Sequence, residues 1–350
     1  MISEGKITID LGQDGTVQLR SNRRVDVGKL LTARHPDEAL ALLPMIFSLC
    51  GQAHVAAARQ ALAYPGSKAE ARTLALAVLA ENAREHLLRI ALGWRVDEVV
   101  NDMPLHDLAA LVVGMKAAAG DEMAERIAAG QLSELLATCV FGSAPEEFLE
   151  LSTATSFQGW IAQSQSAAAK FIATVCRNGW HDLGAAPTHY LPDLSPHLLT
   201  ARLLEPSYTQ APDWLGQPRE TGPLTRQHAH PLVAALISKY GTGLLARLVA
   251  RLIDLAKIPA QMRQTTAISA GGPGFGIVET ARGRLIHAAK LQGGAIVDYR
   301  ILAPTEWNFH PEGAAVQALG ALPQGPDWAE KAGVLVQAID PCVDFEVRAA

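Results

Sequence analysis

Residues 47–54 read Phe-Ser-Leu-Cys-Gly-Gln-Ala-His and lead directly into the alanine-rich segment 55–62. This run predicts a helix with Cys50 at its mouth. A thiol in that position faces unpaired backbone N–H groups and the positive end of the helix dipole, which favour its thiolate. His54 follows four residues later and shares the helix face of Cys50. The segment indicates either a soft-metal or reactive-thiol site, or a cysteine that is simply buried.

A second candidate thiol, Cys342, lies near the other end of the sequence, in the Asp-Pro-Cys run at 340–342. The chain has four cysteines, irregularly spaced and without a C-x-x-C pair, which fits neither a disulfide framework nor a structural zinc module. Cys139 and Cys176 fall within helical patterns and are expected in the core. A metal site would require Cys50 and Cys342 to converge in space, which their spacing alone does not show.

The composition indicates a folded protein without extreme charge. Of 350 residues, 49% are hydrophobic, and 30 Lys and Arg residues oppose 35 Asp and Glu residues, for a formal net charge of -5. This balance does not favour nucleic acid as a partner. Residues 1–6 lack the pattern of an export signal, and the most apolar windows, 39–50 and 241–253, are too short to span a membrane. We therefore expect a cytoplasmic protein without membrane insertion.

Strand patterns are confined to the two ends of the chain. Alternating polar and apolar residues around an Asp-Gly turn predict a β-hairpin over residues 6–20. A β-containing C-terminal segment is predicted over residues 275–345. Its strand candidates, separated by glycine-containing turns, are residues 276–279, 284–287 and 295–300.

Between these ends, residues 36–256 are predicted to form a helical body. Apolar residues recur with helical spacing at 67–93, 105–119, 121–139 and 230–256, and again beyond the strands at 328–338. Residues 178–217 are rich in proline, histidine, glycine and tyrosine, which predicts a long irregular excursion. After the last helix, a short tail holds Cys342. The predicted fold class is therefore mainly α with minor β (α+β).

Six segments of the chain are similar, in the same order, to sequence motifs of the large subunit of nickel-iron hydrogenases. They are residues 4–7, in place of E-G-H; 45–54, in place of R-x-C-G-x-C-x-x-x-H; 220–226, in place of E-x-G-P-L-A-R; 274–283, in place of the E-A-P-R-G region; 304–308, in place of P-T-x-W-N; and 340–345, in place of D-P-C-x-x-C. The resemblance extends over nearly the whole chain. It implies one hydrogenase large-subunit-like multihelical domain, residues 1–350, with small β elements near both termini.

Two of the four cysteines that hold the metals in those enzymes are replaced in this chain. Phe47 stands in place of the first cysteine of the N-terminal pair, and Phe345 in place of the second cysteine of the C-terminal pair. Cys50 matches a cysteine that bridges nickel and iron, and Cys342 matches a terminal nickel ligand. Because soft metal sites depend on the number of thiolates, the resemblance implies no nickel and no hydrogen turnover. Cys50 and Cys342 remain the predicted metal ligands, for an iron fragment.

Two further residues are predicted to bind that cofactor. Arg282 matches the arginine that lines the iron-diatomic pocket of the enzymes, where a guanidinium can donate to a cyanide nitrogen. The alternative is an ordinary salt bridge beside a strand turn. His54 matches the histidine of the first cysteine motif. Glu4 matches a glutamate that transfers protons near nickel, and without nickel it is at best a relic. His228 and His230 are expected to be exposed rather than to bind a metal.

These departures make the chain similar to maturation proteins of the HupK/HoxV family. The resemblance implies a non-catalytic scaffold that transiently holds or relays the Fe(CN)2CO unit, without nickel, to a hydrogenase large subunit. The expected partners are maturation chaperones of the HypC/HupF type, an iron-carrier protein of the HypD type and the large subunit itself. The alternative is a metal-free mimic of the large subunit that acts as an interaction or protective chaperone. A diverged working hydrogenase is disfavoured by the two missing thiolates.

Overall fold

A computed structural model describes residues 5–22, 27–94, 121–194, 199, 202–203, 205, 207–265 and 274–349. The helices in these ranges are α1 (Val27–Leu31), α2 (Pro36–Ile46), α3 (Gly51–Ala61), α4 (Lys68–Gly93), α5 (Glu122–Leu136), α6 (Pro145–Leu149), α7 (Ala154–Gln163), α8 (Ala167–Arg177), α9 (Pro223–Gln227), α10 (Pro231–Tyr240), α11 (Leu244–Gln264), α12 (Pro304–Asn308), α13 (Ala314–Gly320) and α14 (Trp328–Ile339). The strands are β1 (Lys6–Leu11), β2 (Val17–Ser21), β3 (Phe275–Thr280), β4 (Gly283–Gln292), β5 (Ala295–Leu302) and β6 (Asp344–Ala349). The prediction of a mainly α fold with minor β is confirmed.

The predicted N-terminal hairpin is confirmed as the antiparallel pair β1 and β2. The tail after Cys342 carries a strand that was not among the three strand candidates of the C-terminal segment. It forms β6, which pairs in parallel with β1 and gives a sheet of strand order β2-β1-β6. Only half-buried or exposed side chains line β6, so its sequence shows no clean apolar alternation. Its pairing partner comes from the opposite end of the chain, which a local pattern cannot show.

The three predicted C-terminal strands are confirmed as the antiparallel meander β3-β4-β5, which is called the second sheet below. Strand β4 is longer than the predicted 284–287 and reaches Gln292. Helix α3 packs directly on this sheet. The contact is close at Gly276 in β3, where an added Cβ would lie 2.0 Å from the carbonyl oxygen of Ala57. The sheet therefore holds the helix that begins at Cys50.

Helix α4 confirms the prediction over 67–93 and begins at a capping box. The Ser67 hydroxyl accepts from the Glu70 N–H, and the Glu70 carboxylate accepts from the Ser67 N–H. The helical spacing predicted over 230–256 is confirmed, but it belongs to two helices, because α10 ends at Gly241, whose φ of +71° breaks the helix. A second helix, α11, begins at Leu244, is buried along most of its length and continues to Gln264. Its side chains form the centre of the largest apolar core.

The remaining helix predictions have mixed outcomes. The prediction over 121–139 is confirmed by α5, which Asp121 caps and which runs into a π-helical turn at Ala137–Phe141, and the prediction over 328–338 by α14. The predicted helix at 105–119 lies outside the described residues. The described part of 178–217 is largely irregular, as predicted. None of the helices in the described ranges has both the length and the apolar character of a membrane span.

Candidate functional site

Cys50 is the N-cap residue of α3, so the predicted position at a helix mouth is confirmed. Its carbonyl oxygen accepts the N–H of His54 at 3.0 Å. The side chain is half-buried and packs against a small apolar cluster that joins α3 to the second sheet through Ala53 and Val278. The sheet and the helix together fix the position of this thiol.

The helix N-terminus beside Cys50 differs from its prediction in one respect. The backbone N–H groups expected to be unpaired are bound by Glu81 of α4, whose carboxylate accepts from Gln52 at 2.8 Å and from Ala53 at 3.0 Å. Burial raises the pKa of Glu81 to about 7, although these two bonds and the charge of Arg84 act in the opposite direction. A carboxyl group, rather than the thiol, therefore caps α3.

Cys342 lies on a short bend between α14 and β6. Asp340 ends the helix with a left-handed φ of +67°, and Pro341 follows it. The Thr305 hydroxyl, at the start of α12, donates to the Cys342 sulfur at 3.0 Å and accepts from the Cys342 N–H at 3.2 Å. These two bonds fix the backbone and the side chain of Cys342 together. Both Cys342 and Cys50 are thiols, as are the other two cysteines, all of which lie in described ranges.

Arg282 lies in the tight turn between β3 and β4 and is 6% exposed. Its Nη1 donates to Glu85 at 3.0 Å, and its Nε lies 3.4 Å from a carboxylate oxygen of Asp340. Burial alone would lower the pKa of Arg282, but the charges of Asp340, Glu85, Cys342 and Cys50 raise it above its ordinary value. Asp340 lies two residues before Cys342, and Arg84, which also contacts Glu85, donates to the carbonyl of Leu49 at 2.6 Å, directly before Cys50. The salt bridges of the alternative reading are present at the same position.

Buried ion pairs surround this guanidinium. The carboxylate of Asp340 contacts Arg251 at 3.1 Å, Arg282, and Arg89. Burial would raise the pKa of Asp340, but the three guanidinium groups hold it well below its usual range. Glu85 similarly contacts Arg84 in addition to Arg282. Four arginines therefore share two carboxylates, and this cluster favours a further negative charge beside the two thiols.

His54 lies in a buried chain of hydrogen bonds. Its Nδ1 is 2.9 Å from Nε2 of His287 in β4, and Nδ1 of His287 is 2.7 Å from the hydroxyl of Tyr299 in β5. Phe47 stacks flat on His54, with 3.5 Å between ring centroids and 2° between ring planes. Sequence reasoning missed His287 and Tyr299, although polar residues at buried positions of apolar strands are a usable signal.

The other histidine and cysteine candidates have structural roles. His228 is exposed, as expected, and donates to the carbonyl of Thr225 at 2.8 Å. His230 is half-buried rather than exposed, because its ring caps α10 and contacts the carbonyl of Leu149 at 3.1 Å. Cys139 and Cys176 pack against the main core. Glu4 lies outside the described residues. In the described part of the chain, no three His, Cys, Asp or Glu side chains are grouped closely enough to hold a metal.

Comparison with known proteins gives relatives that match this chain along nearly its full length. It is 31% identical to the hydrogenase expression/formation protein HupK of Azotobacter vinelandii, over 96% of each chain. It is 31% identical to the hydrogenase expression/formation protein HoxV of Cupriavidus necator, over 92% of this chain and 90% of that protein. The chain belongs to the HupK/HoxV family. A family model described as nickel-dependent hydrogenase also matches residues 224–324.

Solved structures show where the fold of this HupK/HoxV-family chain occurs elsewhere. The Ni-Fe-Se hydrogenase of D. vulgaris Hildenborough superposes with a TM-score of 0.56 at 17% identity, over 94% of each chain. An NAD+-reducing [NiFe]-hydrogenase superposes with a TM-score of 0.56 at 17% identity, over 94% of this chain and 93% of that chain. At this identity the likeness concerns the fold alone, which is that of hydrogenase large subunits.

The two phenylalanines at cysteine positions of the hydrogenase motifs are part of the packing in this HupK/HoxV-family chain. Phe47 covers His54, as described above, and packs against the apolar cluster of α2 and α3. Phe345 lies in β6 opposite Ile7 of β1 and packs against the main core. Both rings are half-buried apolar groups and supply no metal ligand. Cys50 and Cys342 are the thiols that remain near Arg282.

Proposed function

We propose that this HupK/HoxV-family protein is a non-catalytic maturation scaffold that holds the Fe(CN)2CO unit and passes it to a hydrogenase large subunit. The sulfur atoms of Cys50 and Cys342 are the iron ligands. The observation that supports this proposal most directly is the set of contacts around the buried Arg282 guanidinium. It contacts Asp340, two residues before Cys342, and it contacts Glu85. The other arginine bound to Glu85 is Arg84, which donates to the carbonyl of Leu49, the residue before Cys50. The cargo binds transiently, and nickel has no place in the scheme.

The charge of the site supports a cyanide-bearing cargo. An iron(II) ion with two cyanides and one carbon monoxide has no net charge, so two thiolate ligands add two negative charges. Around Arg282 and Asp340 there are more arginines than carboxylates. This excess of positive charge stabilises the two thiolates. The Nε of Arg282 faces Asp340 at 3.4 Å without a well-aligned hydrogen bond to any described residue, and it is the donor that we assign to a cyanide nitrogen.

An incomplete ligand set supports transfer rather than permanent storage. Two protein thiolates leave iron positions for a group from a partner, so the cargo can leave by ligand exchange. The Thr305 hydroxyl orients the Cys342 sulfur. The partners in this scheme are chaperones of the HypC/HupF type, a HypD-type iron carrier and the recipient large subunit.

Infrared spectroscopy tests the ligand assignment. Protein purified anaerobically from a host with the other maturation factors is expected to show carbon monoxide and cyanide stretching bands. Cys50→Ala and Cys342→Ala should each abolish these bands, because a single thiolate does not retain the iron. Cys139→Ala and Cys176→Ala are matched controls that should retain them, since both residues pack in the core. Bands that persist in the Cys50→Ala/Cys342→Ala double variant would refute the assignment.

The second candidate function is a metal-free mimic of the large subunit that binds or protects maturation partners. The observation that favours it is the lack of three grouped metal-binding side chains in the described ranges. A strain whose only copy carries Cys50→Ala and Cys342→Ala distinguishes the two functions. Undiminished hydrogenase maturation in that strain favours the mimic, and its loss in a folded variant favours the scaffold.

A further inference from the structure

The hydrogen-bonded chain of His54, His287 and Tyr299 is closed to solvent. Their exposed fractions are 2%, 0% and 2%. This series of hydrogen bonds joins α3 to two strands of the second sheet. Its bonds of 2.9 Å and 2.7 Å have ordinary lengths. A neutral imidazole has one donor nitrogen and one acceptor nitrogen. Each bond in the chain therefore determines which nitrogen carries the proton in the next ring.

The Tyr299 hydroxyl sets the direction of this chain. Its hydrogen-bond partner among the described residues is Nδ1 of His287. If Tyr299 donates, His287 is protonated on Nε2 and donates to Nδ1 of His54, which leaves the His54 proton on Nε2. In the opposite direction, His287 would donate to the phenol oxygen, and the buried phenol proton would have no acceptor. Such an unmade bond costs the desolvation of the hydroxyl, so the first direction is preferred.

We propose that Tyr299 and His287 hold His54 in the tautomer protonated on Nε2, which makes His54 a fixed hydrogen-bond donor rather than a metal ligand through that nitrogen. His54 then donates to acceptors at the site that begins at Cys50, one helical turn away. Tyr299 and His287 are the positioning residues. That the acceptors belong to an iron-cyanide cargo rests on the proposed function. The tautomer itself does not depend on it.

The surroundings keep His287 and Tyr299 neutral. Burial lowers the pKa of His287 to about 3 and raises the pKa of Tyr299 above its ordinary value. His287 and Tyr299 therefore neither gain nor lose a charge near neutral pH. The stacked ring of Phe47 covers one face of His54 and restricts its rotation. These contacts produce an oriented N–H donor at His54.

Nitrogen NMR of the histidine rings in the metal-free, full-length protein tests the proposal. Ring nitrogen shifts distinguish a protonated from an unprotonated nitrogen, and loss of a signal set in His54→Gln and in His287→Gln assigns the two rings. We expect both rings to carry their proton on Nε2 near neutral pH. A proton on Nδ1 of His54, or a rapidly averaged pair of tautomers, would overturn the proposal.

Tyr299→Phe tests the role of the hydroxyl, because it removes one oxygen and keeps the buried ring. The expected result is a mixture of His54 tautomers, since His287 loses its donor. An unchanged His54 tautomer would count against the relay. Tyr208→Phe is the matched control, because its buried hydroxyl donates to the carbonyl of Asp213 at 2.6 Å in a separate cluster and should leave His54 unaffected. If Tyr299→Phe does not fold, the tautomer of the unsubstituted protein still decides.

The infrared experiment separates the failure of this inference from that of the proposed function. If no cyanide bands are found in the unsubstituted protein, the cargo is wrong, and the tautomer measurement stands. If bands are found, His54→Gln retains an N–H donor and should retain them with shifted cyanide frequencies. Complete loss of the bands in a folded His54→Gln variant would indicate that His54 is a ligand, and would overturn the donor role.

Discussion

The carboxylate of Glu81 binds two backbone N–H groups at the start of α3, beside Cys50. A helix N-terminus would otherwise stabilise the Cys50 thiolate. With Glu81 in that position, the positive field at the thiol comes instead from the arginines near Arg282. The electrostatics of Cys50 thus depend on side chains of α4 and of the β3-β4 turn, rather than on its own helix alone.

Glu81→Gln should change how stability depends on pH. In the folded protein Glu81 keeps its proton up to about pH 7, whereas its unperturbed value is 4.5. The folded state therefore binds more protons between these values, and the free energy of unfolding falls as pH rises. Glutamine does not titrate, so the stability of the unsubstituted protein relative to the variant should fall over this window, by an amount on the order of 3 kcal/mol. Urea denaturation at several pH values measures the difference.

Glu70→Gln is the control for this prediction. Glu70 also caps a helix, but it is exposed, and its bonds to the Ser67 backbone and side chain lower its pKa. Its stabilising contribution therefore grows as pH rises through the acid range, the opposite sign. Parallel pH profiles for the unsubstituted protein and Glu81→Gln would show that Glu81 is not perturbed by burial.

For single residues, the sequence predicted those that belong to a motif. It did not predict the residues that form hydrogen bonds with them. Cys50, Cys342 and Arg282 were predicted as site residues from the motifs to which they belong. Glu81 was missed, because it caps a helix that begins some thirty positions earlier in the chain, at a sequence separation of 29 residues from Gln52. Thr305 was missed as the partner of Cys342 for the same reason. Long-range hydrogen bonds leave no local pattern.

Among the elements, α3 and β3 are in closer contact than side chains would allow. Gly276 of β3 lies against the backbone of Ala57, and the N–H of the next residue, Ile277, donates to the side chain of Gln60 at 3.0 Å. The helix that begins at Cys50 is thus held against the sheet whose next turn carries Arg282. This contact sets the separation between the thiol and the guanidinium.

Gly276→Ala should destabilise the protein, because the new Cβ would lie 2.0 Å from the Ala57 oxygen and 2.9 Å from the Gln60 Cβ. Backbone cannot yield as a flexible side chain does, so the loss in free energy of unfolding should be about 1–3 kcal/mol or more. Chemical denaturation measures it. Gly333→Ala is the control, since nothing lies within 4 Å of its Cβ position in α14. It should be neutral or stabilising by up to about 1 kcal/mol. Equal effects of the two substitutions would contradict the close contact.

The elements with strong periodicity or clear turn residues could be predicted from the sequence. The 67–93 helix and the first hairpin have both signals, and the structure confirms them. The break at Gly241 was missed, because apolar spacing continues across it and only the backbone conformation reveals it. Strand β6 was missed because its stability comes from a partner strand rather than from its own side chains.

For the whole molecule, the parallel pairing of β6 with β1 connects the two ends of the chain. The pairing runs from Lys6 opposite Asp344 to Leu11 opposite Ala349. The apolar side chains of Ile7, Ile9 and Leu11 enter the main core beneath it. The bend with Cys342 lies between this strand and α14. The position of the second thiol is therefore determined by the N-terminal sheet.

A variant that ends at Val343 should lose this pairing. We expect the free energy of unfolding to fall by an amount on the order of 3–5 kcal/mol, since a six-residue ladder of backbone hydrogen bonds is removed. Hydrogen exchange should show lost protection for the β1 amides that face β6 and retained protection for those that face β2. Arg348→Ala, at an exposed position of the same strand, should change stability by less than about 0.5 kcal/mol. Unchanged β1 protection in the truncated protein would exclude the pairing in solution.

The order in which the chain is synthesised gives the pairing of β1 with β6 a further consequence. Strand β1 is synthesised before β6, so the two strands cannot pair until β6 has left the ribosome. Cys50 and its helix can fold early, but Cys342 reaches its place only when translation has passed β6. A nascent chain that has not yet reached β6 therefore holds Cys50 in its helix while Cys342 still lacks its folded position. The topology of the fold alone imposes this delay.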